Sequence, residues 1–180
     1  MVDPLAVAEK WNQLVSLRTP QVADVERLLD TKGRPIFEHI PSMLYLGDNL
    51  MLTVPPTVTA VQGGTPLLSI GLVTKSDFFA APAQVKTDGI GGLSLLGLSL
   101  PCSAQTMLDH LNEVDPGHIS VGTRESRWTI DYGRALSLVF FPLGGGTTST
   151  ATPAQSILAM VQFYYSLPYG GALSPQVKSS

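Results

Sequence analysis

Cysteine is almost missing from this chain. Cys102 is the only one in 180 residues, so no internal disulfide can form and a cysteine-built zinc site is excluded. Charge is scarce as well. Asp, Glu, Lys and Arg make up 14% of the residues, against roughly 25% in an ordinary soluble domain. So little charge covers a free surface poorly, which predicts that much of the surface is buried against other chains. A very large enclosed core is the alternative. The 11 basic residues, against 14 acidic ones, are scattered from Lys10 to Lys178 without forming an arm or stripe. That excludes a strong sequence-independent grip on nucleic acid.

Long hydrophobic runs are also lacking. The longest, Leu93 to Pro101, is broken by Ser94, Gly97 and Ser99 and is about half the roughly 20 residues a membrane-spanning helix needs. No membrane insertion is expected. The opening residues, MVDPLAVAEKW, carry no basic segment followed by an apolar one, so they do not read as a secretory signal. None of Asn12, Asn49 and Asn112 stands in an N-x-Ser/Thr acceptor.

The motifs of catalysis are missing too. Gly92-Leu93-Ser94-Leu95-Leu96 lacks the second glycine of a nucleophile elbow. Gly89-Ile90-Gly91-Gly92-Leu93-Ser94 imitates a dinucleotide loop but has serine where the third glycine belongs. No G-x-x-x-x-G-K-[ST] phosphate loop occurs. His39, His110 and His118 include no pair spaced i, i+4 for a metal. Cys102 with Asp109 and His110 suggests a cysteine nucleophile, but Cys102 follows Pro101 at the end of an apolar run and reads as an inert buried thiol. Glu113 and Asp115 could be imagined as a glycosidase pair; nothing sets them across a groove, and a solvated loop is the plainer reading. No catalytic, cofactor-binding or metal-ligating residue is therefore assigned, and the chain is expected not to be an enzyme.

What the sequence does hold is strands. In RWTIDY, Trp128, Ile130 and Tyr132 share one face and Arg127, Thr129 and Asp131 the other. ALSLVFF follows Gly133, and SILAMVQFYYS follows the loop Gly144–Thr150. Earlier, Leu50–Val54, Thr57–Val61, Leu67–Val73 and Leu93–Leu100 read as strands, with Pro55-Pro56 marking an edge or corner. Residues 74 to 92 form a long excursion containing Phe78-Phe79, Ala-Ala-Pro and a glycine cluster. Two short helices are expected. In QVADVERLLD, Thr19 suits the N-cap and Val22, Val25, Leu28 and Leu29 make the buried stripe; in AQTMLDHLN, Ser103 caps and Met107, Leu108 and Leu111 are buried. The aromatic residues Trp128, Tyr132, Phe140, Phe141, Phe163, Tyr164, Tyr165 and Tyr169 concentrate late, and read as core and subunit contact more than as a ligand platform. Phe163 and Tyr165 fall on one face and Tyr164 on the other.

Together these predict an all-β fold: an eight-stranded jelly-roll β-sandwich with two short helices in its connections. The jelly-roll domain spans residues 19–168 between irregular arms at 1–18 and 169–180. The order of features over roughly residues 20–168 resembles capsid subunits of picorna-like viruses. It comprises a short helix, a Gly-Arg-Pro segment, Gly47-Asp48-Asn49-Leu50 before the first strands, a late W-x-I-x-Y, a strand closing on Phe141-Pro142-Leu143, and a final aromatic strand Val161–Tyr165. The resemblance implies a structural subunit of an icosahedral virion, assembled in the host cytoplasm with other capsid subunits around an RNA genome it contacts only weakly. No catalytic residue carries over. A ligand-binding, carbohydrate-type β-sandwich is the rival reading, and it requires a row of exposed aromatics.

Overall fold

The computed structural model describes residues 2–76, 78, 87–133, 135–165 and 173–175. Phe79, the Ala-Ala-Pro of the excursion, Tyr169 and the rest of the expected C-terminal arm lie outside the described residues.

The chain opens with a helix, not an arm. α1 spans Pro4–Val15, with the Asp3 side chain accepting the N–H of Leu5 and Pro4 in the first turn. Val7, Ala8, Trp11 and Leu14 form one stripe, and all are buried in the same core as the strands. The expected irregular arm at 1–18 is thus corrected: its apolar residues follow helical spacing and have a face to bury. α2 spans Val22–Leu29. Its N-cap is Gln21, whose N–H donates to the Asp24 carboxylate at 2.8 Å, not Thr19, which has a φ of +41°. Asp30, in the left-handed region, ends it. Val22 and Val25 are buried as expected, but Leu28 is exposed.

Four strands follow as a meander: β1 (Arg34–Phe37), β2 (Ile40–Gly47), β3 (Leu50–Thr53) and β4 (Ser69–Val73). Asp48 and Asn49 join β2 to β3 with φ of 51° and 63°, the two-residue turn whose twist suits a hairpin. The expected strand at Thr57–Val61 is absent; the chain turns there after Pro55-Pro56, with the Val58 N–H bonded to the Pro55 carbonyl. The expected single strand at Leu93–Leu100 is a hairpin, β5 (Leu93–Leu95) and β6 (Leu98–Leu100), turning at Leu96 and Gly97, both at positive φ. α3 (Ala104–Val114) is capped by Ser103, which accepts the Thr106 N–H at 3.1 Å. A second meander completes the sheet: β7 (Ile119–Arg124), β8 (Arg127–Tyr132), β9 (Leu136–Pro142) and β10 (Ser156–Tyr164). β11 (Leu173–Pro175) pairs with β5 and lies against α1. That part of the expected C-terminal arm is a strand.

The protein is mostly β, with one large antiparallel sheet of eight strands in the order β1-β2-β3-β4-β10-β9-β8-β7 and a small sheet β11-β5-β6. A jelly roll would divide its eight strands between two sheets through Greek-key connections. Here all eight are hydrogen-bonded in one sheet, as two meanders meeting at β4 and β10. Each meander follows a helix, α2 or α3, so the two halves share one plan. The three helices and the small sheet contribute to a single core over one face of the large sheet, where Leu52, Ile70, Leu72, Ile130, Leu138, Phe140, Val161 and Phe163 lie. Three helices, not two, are present among the described residues.

Candidate interaction surface

Strand alternation divides the large sheet cleanly. Trp128, Phe140 and Phe163 point into the helix-covered core, as does Tyr165, whose hydroxyl donates to the Leu14 carbonyl and whose burial pushes its pKa up. Phe163 and Tyr165 meet edge to face at 5.3 Å. The neighbouring residues in each strand face the other way.

On that second face the β1–β4 half carries a small apolar cluster of Ile36, Tyr45, Met51 and Val73, packed with Met43, Phe78 and Met160. Phe78 stacks on Phe141 with ring centroids 5.5 Å apart. Gly71 lies in the middle of this half, where a Cβ would come within 2.9 Å of Met51 Cγ, so only glycine lets that methionine cross β4. The β7–β10 half carries Ile157, Phe141, Thr129, Asp131, Ser137, Gln162 and Tyr164, all half-buried. Among the described residues no helix or strand packs across this half, and Phe78 covers it only at Phe141.

Its polar groups form a chain. The Tyr164 hydroxyl donates to Gln162 Oε1 at 3.0 Å, Gln162 Nε2 donates to Ser69 Oγ at 3.0 Å, and Ser69 bonds the hydroxyl of Thr53. Burial, and secondarily the charge of Asp131, raise the Tyr164 pKa, while Arg127 opposes them. Both charges therefore act on the same side of the sheet as Tyr164. Arg127 Nε is buried and has no hydrogen-bond partner among the described residues. A surface of this kind, half apolar, with fixed hydroxyls and one charge of each sign, suits contact with another protein chain.

The residues weighed for catalysis do not come together. Burial pushes the Cys102 thiol up to about 11, so it holds its proton at neutral pH. His110 Nε2 is engaged with the Leu96 carbonyl at 2.6 Å, and Asp109 accepts from Gln105. His39 sits exposed in the β1–β2 turn. The glycine run at 89–92 is tethered: Ile90 is buried, its N–H bonds the Thr74 carbonyl, and Asn49 Nδ2 bonds the carbonyls of Val73 and Asp88. Asp115 accepts from the Tyr132 hydroxyl at 2.6 Å and is paired with His118 Nδ1 at 2.8 Å, which holds its carboxyl below the usual range. The sequence reading missed this cluster because Tyr132 joins it only through strand pairing. It locks the turn from α3 into β7, where the Gly133 N–H also bonds the His118 carbonyl.

A cavity of about 330 Å³ lies between α2 and the β1–β2 hairpin, lined by Val22, Glu26, Lys32, Leu44 and Val61 among others. Its one carboxylate, Glu26, is already bonded to the Gly33 N–H at 2.7 Å. Among the described residues no group of three or more His, Cys, Asp or Glu is placed to hold a metal. No described helix is long and apolar enough to cross a membrane.

Compared with known proteins, the chain matches no family model, no curated protein and no solved structure.

Proposed function

We propose that this chain is a structural subunit that works by assembling with other protein chains and not by catalysis. The observation that carries this reading is the second face of the large sheet. It combines half-buried Ile157 and Tyr164 with the buried Arg127 Nε, which has no hydrogen-bond partner among the described residues, and apart from Phe78 over Phe141 no described element lies over its β7–β10 half. The low charge content supports it, because a chain with 14% charged residues leaves much apolar surface for neighbours to cover.

The narrower form is an icosahedral capsid subunit around RNA, with its strands in a sandwich of jelly-roll kind. What supports it is the order of sequence features and the scarcity of charge. The strand order and the packing of α1 into the core weigh against it, since a shell subunit of that kind relies on free arms and two facing sheets. The carbohydrate-module rival loses support because the aromatics do not form an exposed row: Trp128, Phe140 and Phe163 are buried and Phe141 is stacked under Phe78.

The mass of the native material tests both forms. A particle tens of nanometres across is the expected result for the narrow form, and a discrete oligomer for the general one. A monomer at every concentration would overturn both.

A further inference from the structure

Charge and bulk lie in rows on the open face of the β7–β10 half. Strand pairing sets Thr129 level with Gly122 on β7 and Val139 on β9. This middle row is low: Gly122 has no side chain, and a Cβ there would come within 2.7 Å of Thr129 Oγ1. The next row toward the β7–β8 turn on the same face is Arg124, Arg127 and Phe141, and the next row the other way is Ser120, Asp131 and Ser137. One row is bulky and cationic, the other small and anionic. Arg124 and Arg127 stand directly opposite each other, an unfavourable pair of like charges. Among the described residues neither arginine has an ion pair with a carboxylate, and Asp131 has none with a cation. Arg127 Nε is buried with no hydrogen-bond partner there.

We infer that this face docks on the same face of a second copy, with β8 antiparallel to its twin and the two-fold axis crossing both strands at Thr129. Arg127 and Asp131 lie equally far from Thr129 on the same strand and the same face. About such an axis Arg127 lies over Asp131 of the other copy and Asp131 over its Arg127, so opposite charges meet twice per pair. Bulk matches as well. Phe141, with the Phe78 ring stacked on it, lies over Ser137 of the other copy, and Arg124 lies over Ser120. Large side chains meet small ones, which lets two sheet faces interdigitate at the roughly 10 Å spacing of packed sheets. The occupant follows from this self-complementarity. An acidic partner would satisfy Arg127 but face Asp131 with its own sign, and a basic partner would do the reverse. The inference rests on the proposed assembly role and names the partner of the open face.

Sedimentation of wild type, Arg127→Asp, Asp131→Arg and an equimolar mixture of the two variants, over a wide concentration range, tests it. Urea unfolding checks that each variant folds. Either variant alone sets like charges across the axis, whereas the mixture restores two opposite pairs. The expected result is that wild type associates, that its dissociation constant rises about tenfold or more in each variant, and that mixing the variants recovers association as a heterodimer. A second readout needs no charge reversal: Thr129→Cys should cross-link to its own copy through a short bismaleimide, with wild type as the control for Cys102. Unchanged association in both variants, loss in only one of them, loss in both without recovery on mixing, or an associated Thr129→Cys sample that does not cross-link would each overturn the second copy as occupant while leaving the assembly role standing. A wild-type monomer throughout would overturn both.

Discussion

Trp128 pairs across the sheet with Phe140 and is 4% exposed, against the face that α3 and the other helices cover. Trp128→Ala removes a large side chain that the neighbours cannot collapse to replace, so it should destabilise by about 3–5 kcal/mol in urea unfolding. A loss of about 0.5 kcal/mol or less, as at a surface position, would put the strand the other way round. Cys102 offers a second check. Its thiol, raised to about 11 by burial, should resist iodoacetamide in the folded protein at pH 8 and react promptly once unfolded; fast labelling of native protein would contradict the burial. The third check is Asp115, whose pKa is lowered first by the Tyr132 hydroxyl and then by His118. A depressed carboxylate contributes stability above its unfolded pKa of about 3.9, and that contribution is lost as pH falls through the folded value. Asp115→Asn should therefore be less stable than wild type at pH 6, and the gap should close toward pH 2. A gap that persists in acid would assign the loss to something other than the ionised carboxylate.

The element whose role changes most from sequence to structure is α1. Its buried stripe of Val7, Ala8, Trp11 and Leu14 packs in the shared core, and the Tyr165 hydroxyl bonds the Leu14 carbonyl. Deleting residues 1–18 should therefore unfold the protein, and the bonds following Trp11 and Leu14 should resist chymotrypsin even in a dilute monomer. Ready cleavage there, with the remainder still folded, would restore the reading of a free arm. The signal for α1 was present in Asp3-Pro4 and in the helical spacing, but twelve residues with one strong aromatic are marginal alone and take their stability from docking. Where local chemistry decides, the sequence was readable: Ser103 caps α3, and RWTIDY alternates as observed. It was unreadable where the decision is not local. Thr57–Val61 has β-branched residues yet no partner strand, and Leu96 in the left-handed region gives little warning of the β5–β6 turn. The pairing of β4 with β10, which makes one sheet of two meanders, joins residues about ninety positions apart, for example Ser69 and Tyr164. No periodicity records that. The interaction surface was half legible: alternation assigned Arg127, Thr129 and Asp131 to the face away from Trp128, but the chain Tyr164–Gln162–Ser69–Thr53 exists only once β3, β4 and β10 are adjacent.

Across the whole molecule, the helix-side face of the large sheet is covered within the chain, whereas no described helix or strand lies over the β7–β10 half of the opposite face. Ser137 stands near the middle of that second face, half-buried, between Asp131 on β8 and Gln162 on β10. Its position makes Ser137→Lys a discriminating substitution. On a face that remains in water the lysine can extend into solvent, and unfolding free energy should change by no more than about 0.5 kcal/mol. Under a neighbouring chain the longer side chain holds the neighbour off, and its ammonium must shed its water with only Asp131 beside it, which is costly. Association should then weaken tenfold or more, equivalent to about 1.4 kcal/mol. Because subunits bound to the native state raise its stability by mass action, wild type should melt at a higher temperature as concentration rises, and the variant should lose that dependence. The expected pattern is an unchanged fold with lost assembly. If wild type and variant sediment alike and neither melting temperature responds to concentration, the open face stays in water, and the scarcity of charge has to be explained by the enclosed core alone.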